Sequence, residues 1–338
     1  MDISSLFREN IKKIKPYSSA REEFEGIAEV YLDANENPFP SDFNRYPDPL
    51  QKELKQKLAQ IKKVDPSQIF LSNGSDEAID WLVRAFCEPK QDAIVHCPPT
   101  FGMYKVVAAI NEVQLLEVPM SETFSLNVEE ILKQKAKILF LCNPNNPTGT
   151  EFKKEDLLYI IQNFKGIVVI DEAYGDFANY SLVEEIKNHN NLVVLQTFSK
   201  AWGMAGLRLG MTFGNKEVIS VLTTLKMPYN VGVYTQKTAL EKLNSTQKQT
   251  EVEKILEQRI WLEQKLTQNQ SVEYIYPSAA NFLLVKFNDA KKIYDLLKDS
   301  SVLVRNQSYQ LHCQNTLRIT VGTPKENQRL IDALTQIQ

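Results

Sequence analysis

The chain is poor in the residues that build metal and disulfide sites. It holds four cysteines and three histidines in 338 residues. Cys87, Cys97, Cys142 and Cys313 form no CxxC pair, and three of them sit within apolar, strand-like runs. That argues against disulfides or zinc and for small buried hydrophobes in a reducing compartment. His96, His189 and His312 are too scattered for a metal cluster or a histidine-based triad. No GxGxxG follows the first strand, which argues against a nicotinamide-binding Rossmann domain. Long apolar runs are also missing: none approaches the roughly 20 residues of a membrane span. The opening MDISSLFRENIKKIKPY lacks the apolar segment of a signal peptide, so a cytoplasmic location is expected. With a net charge of -3 and no basic stripe, neither nucleic acid nor an anionic membrane is an expected partner.

What is present is an alternation of short β-rich runs and helical patterns. Strands are expected at Gln68–Leu71, Ala93–Cys97, Gln114–Val118, Lys137–Cys142, Gly166–Asp171, Leu192–Thr197 and Arg208–Phe213. Most are nearly continuous in Val, Ile and Leu, as strands covered on both faces are. Between them lie helical stretches such as Ser75–Phe86, where Ile79, Leu82, Val83 and Phe86 share a face, and Lys154–Phe164. This is the pattern of an open, mostly parallel seven-stranded α/β sheet. Beyond Tyr229 the character changes. One long helix is expected from Thr235 to Thr267. Strands follow at Val272–Tyr276, Asn281–Lys286, Val302–Arg305 and Thr316–Val321, with helices at Ala290–Leu297 and Lys325–Ile337. The expected organisation is an N-terminal arm (1–30), a large α/β domain (31–234) and a smaller α+β domain (235–338) that packs with the arm.

Ligands of open α/β sheets bind beyond the carboxyl ends of the strands. Four runs end there in polar residues. QIFLSNGSDEA breaks into Gly74, Ser75 and Asp76 before a helix; this is an anion cradle or a plain N-cap with a tight turn. KILFLCNPNNPTG ends in Asn143–Gly149. IVVID ends at Asp171, whose carboxylate needs a cation, a helix terminus or an ion pair if buried. LVVLQTFSK ends in Thr197, Ser199 and Lys200. A lysine placed there can be partly desolvated, which makes its amine a better nucleophile, and Arg208 can add positive charge and grip a phosphate.

Taken together, SNGSDEAI, NPNNPTG, VVIDEAY, TFSKAWGMAGLRLG and LRITVGT, in this order and spacing, resemble the fold-type I pyridoxal-phosphate (PLP) aminotransferases. The narrower set YLDANENPFP, NRYPDP, PPTFGMY and LVRN resembles the histidinol-phosphate aminotransferase family. The similarity runs from Pro16 to the last helix. It implies PLP held as a Schiff base on Lys200, with Asp171 paired to the pyridine nitrogen. Tyr174 and Asn146 would bond the cofactor's 3′-oxygen. Phe101 would stack on its ring, where relatives often carry Tyr. Gly74, Ser75, Asp76, Thr197, Ser199 and Arg208 would form the phosphate cup. Tyr46 would reach the phosphate in a neighbouring subunit, which implies a homodimer with shared active sites. Tyr17, Asn35, Arg305 and Arg318 would contact substrate, the arginines gripping its phosphate or carboxylates. The implied reaction interconverts L-histidinol phosphate and 2-oxoglutarate with imidazole acetol phosphate and L-glutamate. An aromatic aminotransferase or a threonine-phosphate decarboxylase on the same scaffold is the alternative. A non-catalytic PLP-binding regulator would need a DNA-binding module, for which no room is expected before Tyr31.

Overall fold

The computed structural model describes residues 2–17 and 28–335. Its centre is the expected seven-stranded sheet, in the order β1-β7-β6-β5-β4-β2-β3. The strands are β1 (Ile69–Ser72), β2 (Ala93–His96), β3 (Gln114–Glu117), β4 (Ile138–Cys142), β5 (Ile167–Asp171), β6 (Leu192–Thr197) and β7 (Gly210–Gly214). Six run in one direction, and β7 is antiparallel to both neighbours, β1 and β6. Every residue of β4, β5 and β6 is buried, while the edge strand β3 is exposed at both ends.

Burial on both sides follows from the period of two along a strand. Leu139, Leu141, Val168, Ile170, Leu192 and Val194 point to one face. There they meet helices α1 (Lys52–Lys62), α5 (Lys154–Asn163) and α7 (Val233–Leu243) through Leu54, Ile160 and Ala239. Ile138, Phe140, Val169, Val193 and Leu195 point to the other face. They pack there on α2 (Ser75–Phe86), α3 (Met103–Ile110) and α6 (Lys216–Leu225) through Ile79, Val107 and Leu222. A short α4 (Val128–Lys133) lies beside α5.

A four-stranded antiparallel sheet, β10-β11-β9-β8, forms the smaller unit. Its strands are β8 (Val272–Tyr276), β9 (Phe282–Phe287), β10 (Arg305–Asn306) and β11 (Thr316–Thr320). Helices α8 (Gln247–Thr267), α9 (Ala290–Asp299) and α10 (Pro324–Thr335) close its core with Leu262, Leu266, Ile293, Leu297 and Leu330.

Four expectations need correction. The long helix Thr235–Thr267 is two helices, α7 and α8, parted at Asn244-Ser245-Thr246. Ser245 Oγ accepts from the Gln247 amide at 3.1 Å, the local competition by which such residues end helices. The division of the cores consequently falls after α7, not after residue 234, because Ala239 and Leu243 are buried in the large cluster. The strand expected at Val302–Arg305 begins only at Arg305; Val302 and Val304 serve the small core instead. Finally, the described part of the arm packs on the large unit. Two short 3-10 turns (Ser4–Leu6, Ile11–Lys13) bring Ile3 and Phe7 into the α2 side of the core. Phe7 stacks on Phe86 at 4.7 Å, and Arg8 pairs with Glu88 at 3.1 Å.

Candidate active site

At the carboxyl edge of the large sheet the strand ends converge on one cavity of about 160 Å³. Eleven of the residues singled out from sequence line it: Gly74, Ser75, Asp76, Phe101, Asn146, Asp171, Tyr174, Thr197, Ser199, Lys200 and Arg208. Cys142, Ala173 and Ala205 complete the wall. Register explains the gathering. Ser72 and Thr197 both oppose Gly210, and Cys142 opposes Asp171, so four strand ends lie side by side.

At one end is a cradle for an anion. The N-terminus of α2 opens onto the cavity with no side-chain cap on its free N–H groups. Gly74 has φ +76°, a backbone that favours glycine, and the Arg208 guanidinium lies against it, 2.7 Å from where a Cβ would stand. Arg208 itself adopts a left-handed backbone and lies 3.6 Å from the Asp76 carboxylate. Ser199 and Thr197 share a hydroxyl contact of 3.0 Å on the same side.

Asp171 stands at the deep end. The alternation along β5 turns it to the α3 side, and Glu172 to the opposite face, where Ser181, Gln196 and the Leu182 amide satisfy it. Asp171 is 2 % exposed. It accepts from the Tyr104 hydroxyl at 2.8 Å and from the Ala173 amide at 3.1 Å. Burial pushes its carboxyl up to about 6 against those two donors. An acid held so tightly and still poised near neutrality suits a cationic partner in the cavity.

Lys200 enters from the loop after β6, with its amine 5.6 Å from the centre of the Tyr174 ring. The cavity walls, and then Arg318, hold the ammonium below its ordinary pKa, although Asp76 and Asp171 pull the other way. Tyr174 is buried and its phenol is raised by that burial, so it stays protonated. Arg318, on β11, donates to Asn146 Oδ1 at 2.5 Å, which ties the small sheet to the NPNNPTG loop. Amine, acid, phenol and anion cradle thus share one small space, and these residues fit the aldehyde, pyridine nitrogen and phosphate of PLP.

Other expected residues stand apart within the single chain. Arg305 is exposed but opposes Arg318 in the β10–β11 ladder. Tyr46 is 50 % exposed and stacks on Tyr229 at 4.3 Å. Tyr17 is 70 % exposed, and Asn35 is exposed with φ 53°. The residue missed from sequence is Tyr104. Its signal was its place at the start of α3, three residues after Phe101, whose ring it meets edge-on at 5.7 Å. Among the described residues, no group of His, Cys, Asp and Glu could hold a metal ion, and no helix is long and apolar enough to cross a membrane.

Comparison with known proteins gives the family and the fold. The profile of Aminotransferase class I and II matches residues 23–334. A histidinol-phosphate aminotransferase of Cytophaga hutchinsonii is 49 % identical over 98 % of this chain and 98 % of its own length. The crystal structure of a histidinol-phosphate aminotransferase from Clostridium acetobutylicum superposes with a TM-score of 0.81 at 23 % identity, over 88 % of this chain and 91 % of that one. The Sinorhizobium meliloti histidinol-phosphate aminotransferase, solved in complex with pyridoxal-5′-phosphate, has a TM-score of 0.78 at 22 % identity, over 87 % and 84 % of the two chains. The chain belongs to the class I and II aminotransferases and, within them, to the sequence family of histidinol-phosphate aminotransferases.

Proposed function

We propose that this protein is a PLP-dependent aminotransferase that interconverts L-histidinol phosphate and 2-oxoglutarate with imidazole acetol phosphate and L-glutamate, running toward L-histidinol phosphate in histidine synthesis. The observation that carries the reading is the meeting of Lys200, Asp171, Tyr174 and the Gly74–Arg208 cradle in one cavity. Near-complete relatives of that name, at 45–49 % identity, support the substrate.

When bound, PLP supplies an electron-withdrawing ring that stabilises negative charge at the substrate's Cα. Gly74, Ser75, Asp76, Thr197, Ser199 and Arg208 would hold its phosphate, Asp171 its ring nitrogen, Asn146 and Tyr174 its 3′-oxygen, and Phe101 its face. Lys200 Nζ acts as base and acid, taking the proton from Cα and returning one on the other side of the exchange. Burial and the nearby Arg318 hold its ammonium below the ordinary lysine pKa, which eases loss of its proton. Arg318 and Arg305, neighbours across the β10–β11 ladder, would bind the anionic groups of either substrate in turn. Histidinol phosphate brings a phosphate and no carboxylate, whereas glutamate brings two carboxylates; guanidinium groups serve both. Tyr46 would complete the phosphate site of a second subunit, making the active unit a cytoplasmic homodimer.

The test compares kcat/KM for L-histidinol phosphate and L-phenylalanine with 2-oxoglutarate as acceptor, in the parent protein and in Lys200→Ala. A preference for histidinol phosphate is expected, together with loss of turnover and of the cofactor's lysine-bound absorbance in a variant that melts normally. A strong preference for phenylalanine would overturn the substrate. Near-parental transamination by Lys200→Ala would overturn the mechanism.

A further inference from the structure

Tyr104 is fully buried, yet it is polar, and its phenol donates to Oδ2 of Asp171 at 2.8 Å, with the Cys142 thiol beside it. Its ring is fixed on two sides. It stacks on Phe140 of β4 at 4.9 Å and 14°. It meets Phe101, the proposed stacking residue, edge-on at 5.7 Å and 86°. Tyrosine is uncommon in so dry a place unless its hydroxyl is used. The other donor to Asp171, the Ala173 amide, takes Oδ1, so the two donors together fix the carboxylate plane.

We propose that Tyr104 is a positioning residue for the transamination: its hydroxyl orients the Asp171 carboxylate and favours its charged form at the deep end of the cavity. The inference rests on the reading of Asp171 as the partner of the cofactor's ring nitrogen and adds a residue to it. The logic is electrostatic. A hydrogen bond to an ionised carboxylate lowers the cost of its charge, and burial raises that cost. Around Asp171 the other titratable groups are Asp76 from α2, Cys142 from β4, Tyr174 just beyond β5 and Lys200 from the loop after β6. Asp76 and Cys142 oppose the charge or leave it unaided, and Lys200 favours it. Tyr104 is the donor that touches it from a side chain. Burial and the neighbouring carboxylate both raise the phenol's own pKa, so the proton remains on Tyr104 and the hydroxyl remains a donor.

Tyr104→Phe removes the hydroxyl and keeps the ring stack. The first readout needs no cofactor: the infrared carboxylic-acid band of Asp171, identified by its disappearance in Asp171→Asn, is titrated in full-length protein stripped of PLP. The midpoint should rise by about one to two pH units in Tyr104→Phe, the size expected for losing one hydrogen bond to a charged group. The second readout is a double-mutant cycle on PLP affinity. Tyr104→Phe alone should weaken PLP binding by about tenfold, and in the Asp171→Asn background it should add almost nothing. In the holoenzyme, kcat should fall while KM for the amino donor stays within about twofold. An unmoved Asp171 midpoint, or additive effects on PLP affinity, overturns the proposal whatever the enzyme's activity. Failure of the aminotransferase reading would show separately, as an active Lys200→Ala variant.

Discussion

At the residue scale, the cavity's acid has an uncommon energetic sign. Asp171 has a carboxyl raised to about 6 in the folded chain, above its ordinary 3.8. An acid shifted upward binds its proton more tightly when folded. It therefore destabilises the cofactor-free fold progressively as pH rises from about 4 to about 6, and the cost is then constant above that window. At about 1.4 kcal/mol per unit the cost is on the order of 3 kcal/mol. Asp171→Asn should accordingly raise the neutral-pH melting temperature of the cofactor-free protein while weakening PLP binding. Urea titrations at pH 4.5 and pH 7.5 check this: the stabilisation should be larger at the higher pH, and equal gains at both would contradict it. Gly74, Ser75, Asp171, Thr197 and Lys200 were legible in the sequence because they stand at or just past the ends of apolar strands, whereas Phe101 and Tyr174 came from the family resemblance. Tyr104 was not legible, because its partner lies 67 positions away and only the fold brings them together.

At the scale of elements, α8 is tied to both loops that carry the chemistry. Lys248 in its first turn donates to Asp176 at 2.8 Å, two residues beyond Tyr174, and its ammonium lies 4.7 Å over Trp202, two residues beyond Lys200. Lys62 of α1 approaches the same carboxylate at 3.9 Å. Val252 of α8 and Phe282 of β9 pack against Tyr174 and Ala201 in one cluster. Asp176 sits between two ammonium groups with little water, and Asp176→Asn leaves both without their counterion. A loss of about 2–4 kcal/mol is expected, measured by urea unfolding. The sign with pH is the reverse of Asp171. Lys62 and Lys248 lower the Asp176 carboxyl below its ordinary value, outweighing its burial, so its stabilisation is present above pH about 4 and vanishes as pH falls through the folded pKa. A variant that loses nothing at neutral pH would contradict the tie. None of this was visible in the sequence. The helical period ran unbroken from Thr235 to Thr267, and only the side-chain competition at Asn244–Thr246 divides it into a helix of the large core and one of the small.

For the whole molecule, most strands and the order of elements followed from hydrophobic pattern, since short apolar runs between turn signals suit strands covered on both faces. The arm's seat on α2 did not, because Ile3 and Phe7 could serve either unit until Phe86 was seen beside them. One surface also bears on assembly. Phe43 stacks on Tyr234 at 5.3 Å and Tyr46 on Tyr229 at 4.3 Å, and Leu32, Phe39, Phe43, Tyr46 and Tyr234 are 50–88 % exposed. Exposed apolar side chains of this size invite a partner. Sedimentation at micromolar concentration should give a dimer, and Tyr46→Phe should weaken PLP binding without dissociating it; a monomer that transaminates at full rate would contradict the shared site. The central claim is that the amine of Lys200 is the one that takes the cofactor. Reduction of the PLP-loaded protein with borohydride, followed by peptide mass mapping, reads that bond directly. The account predicts the added phosphopyridoxyl mass on Lys200 alone, and its appearance on another lysine, or on none, would contradict it.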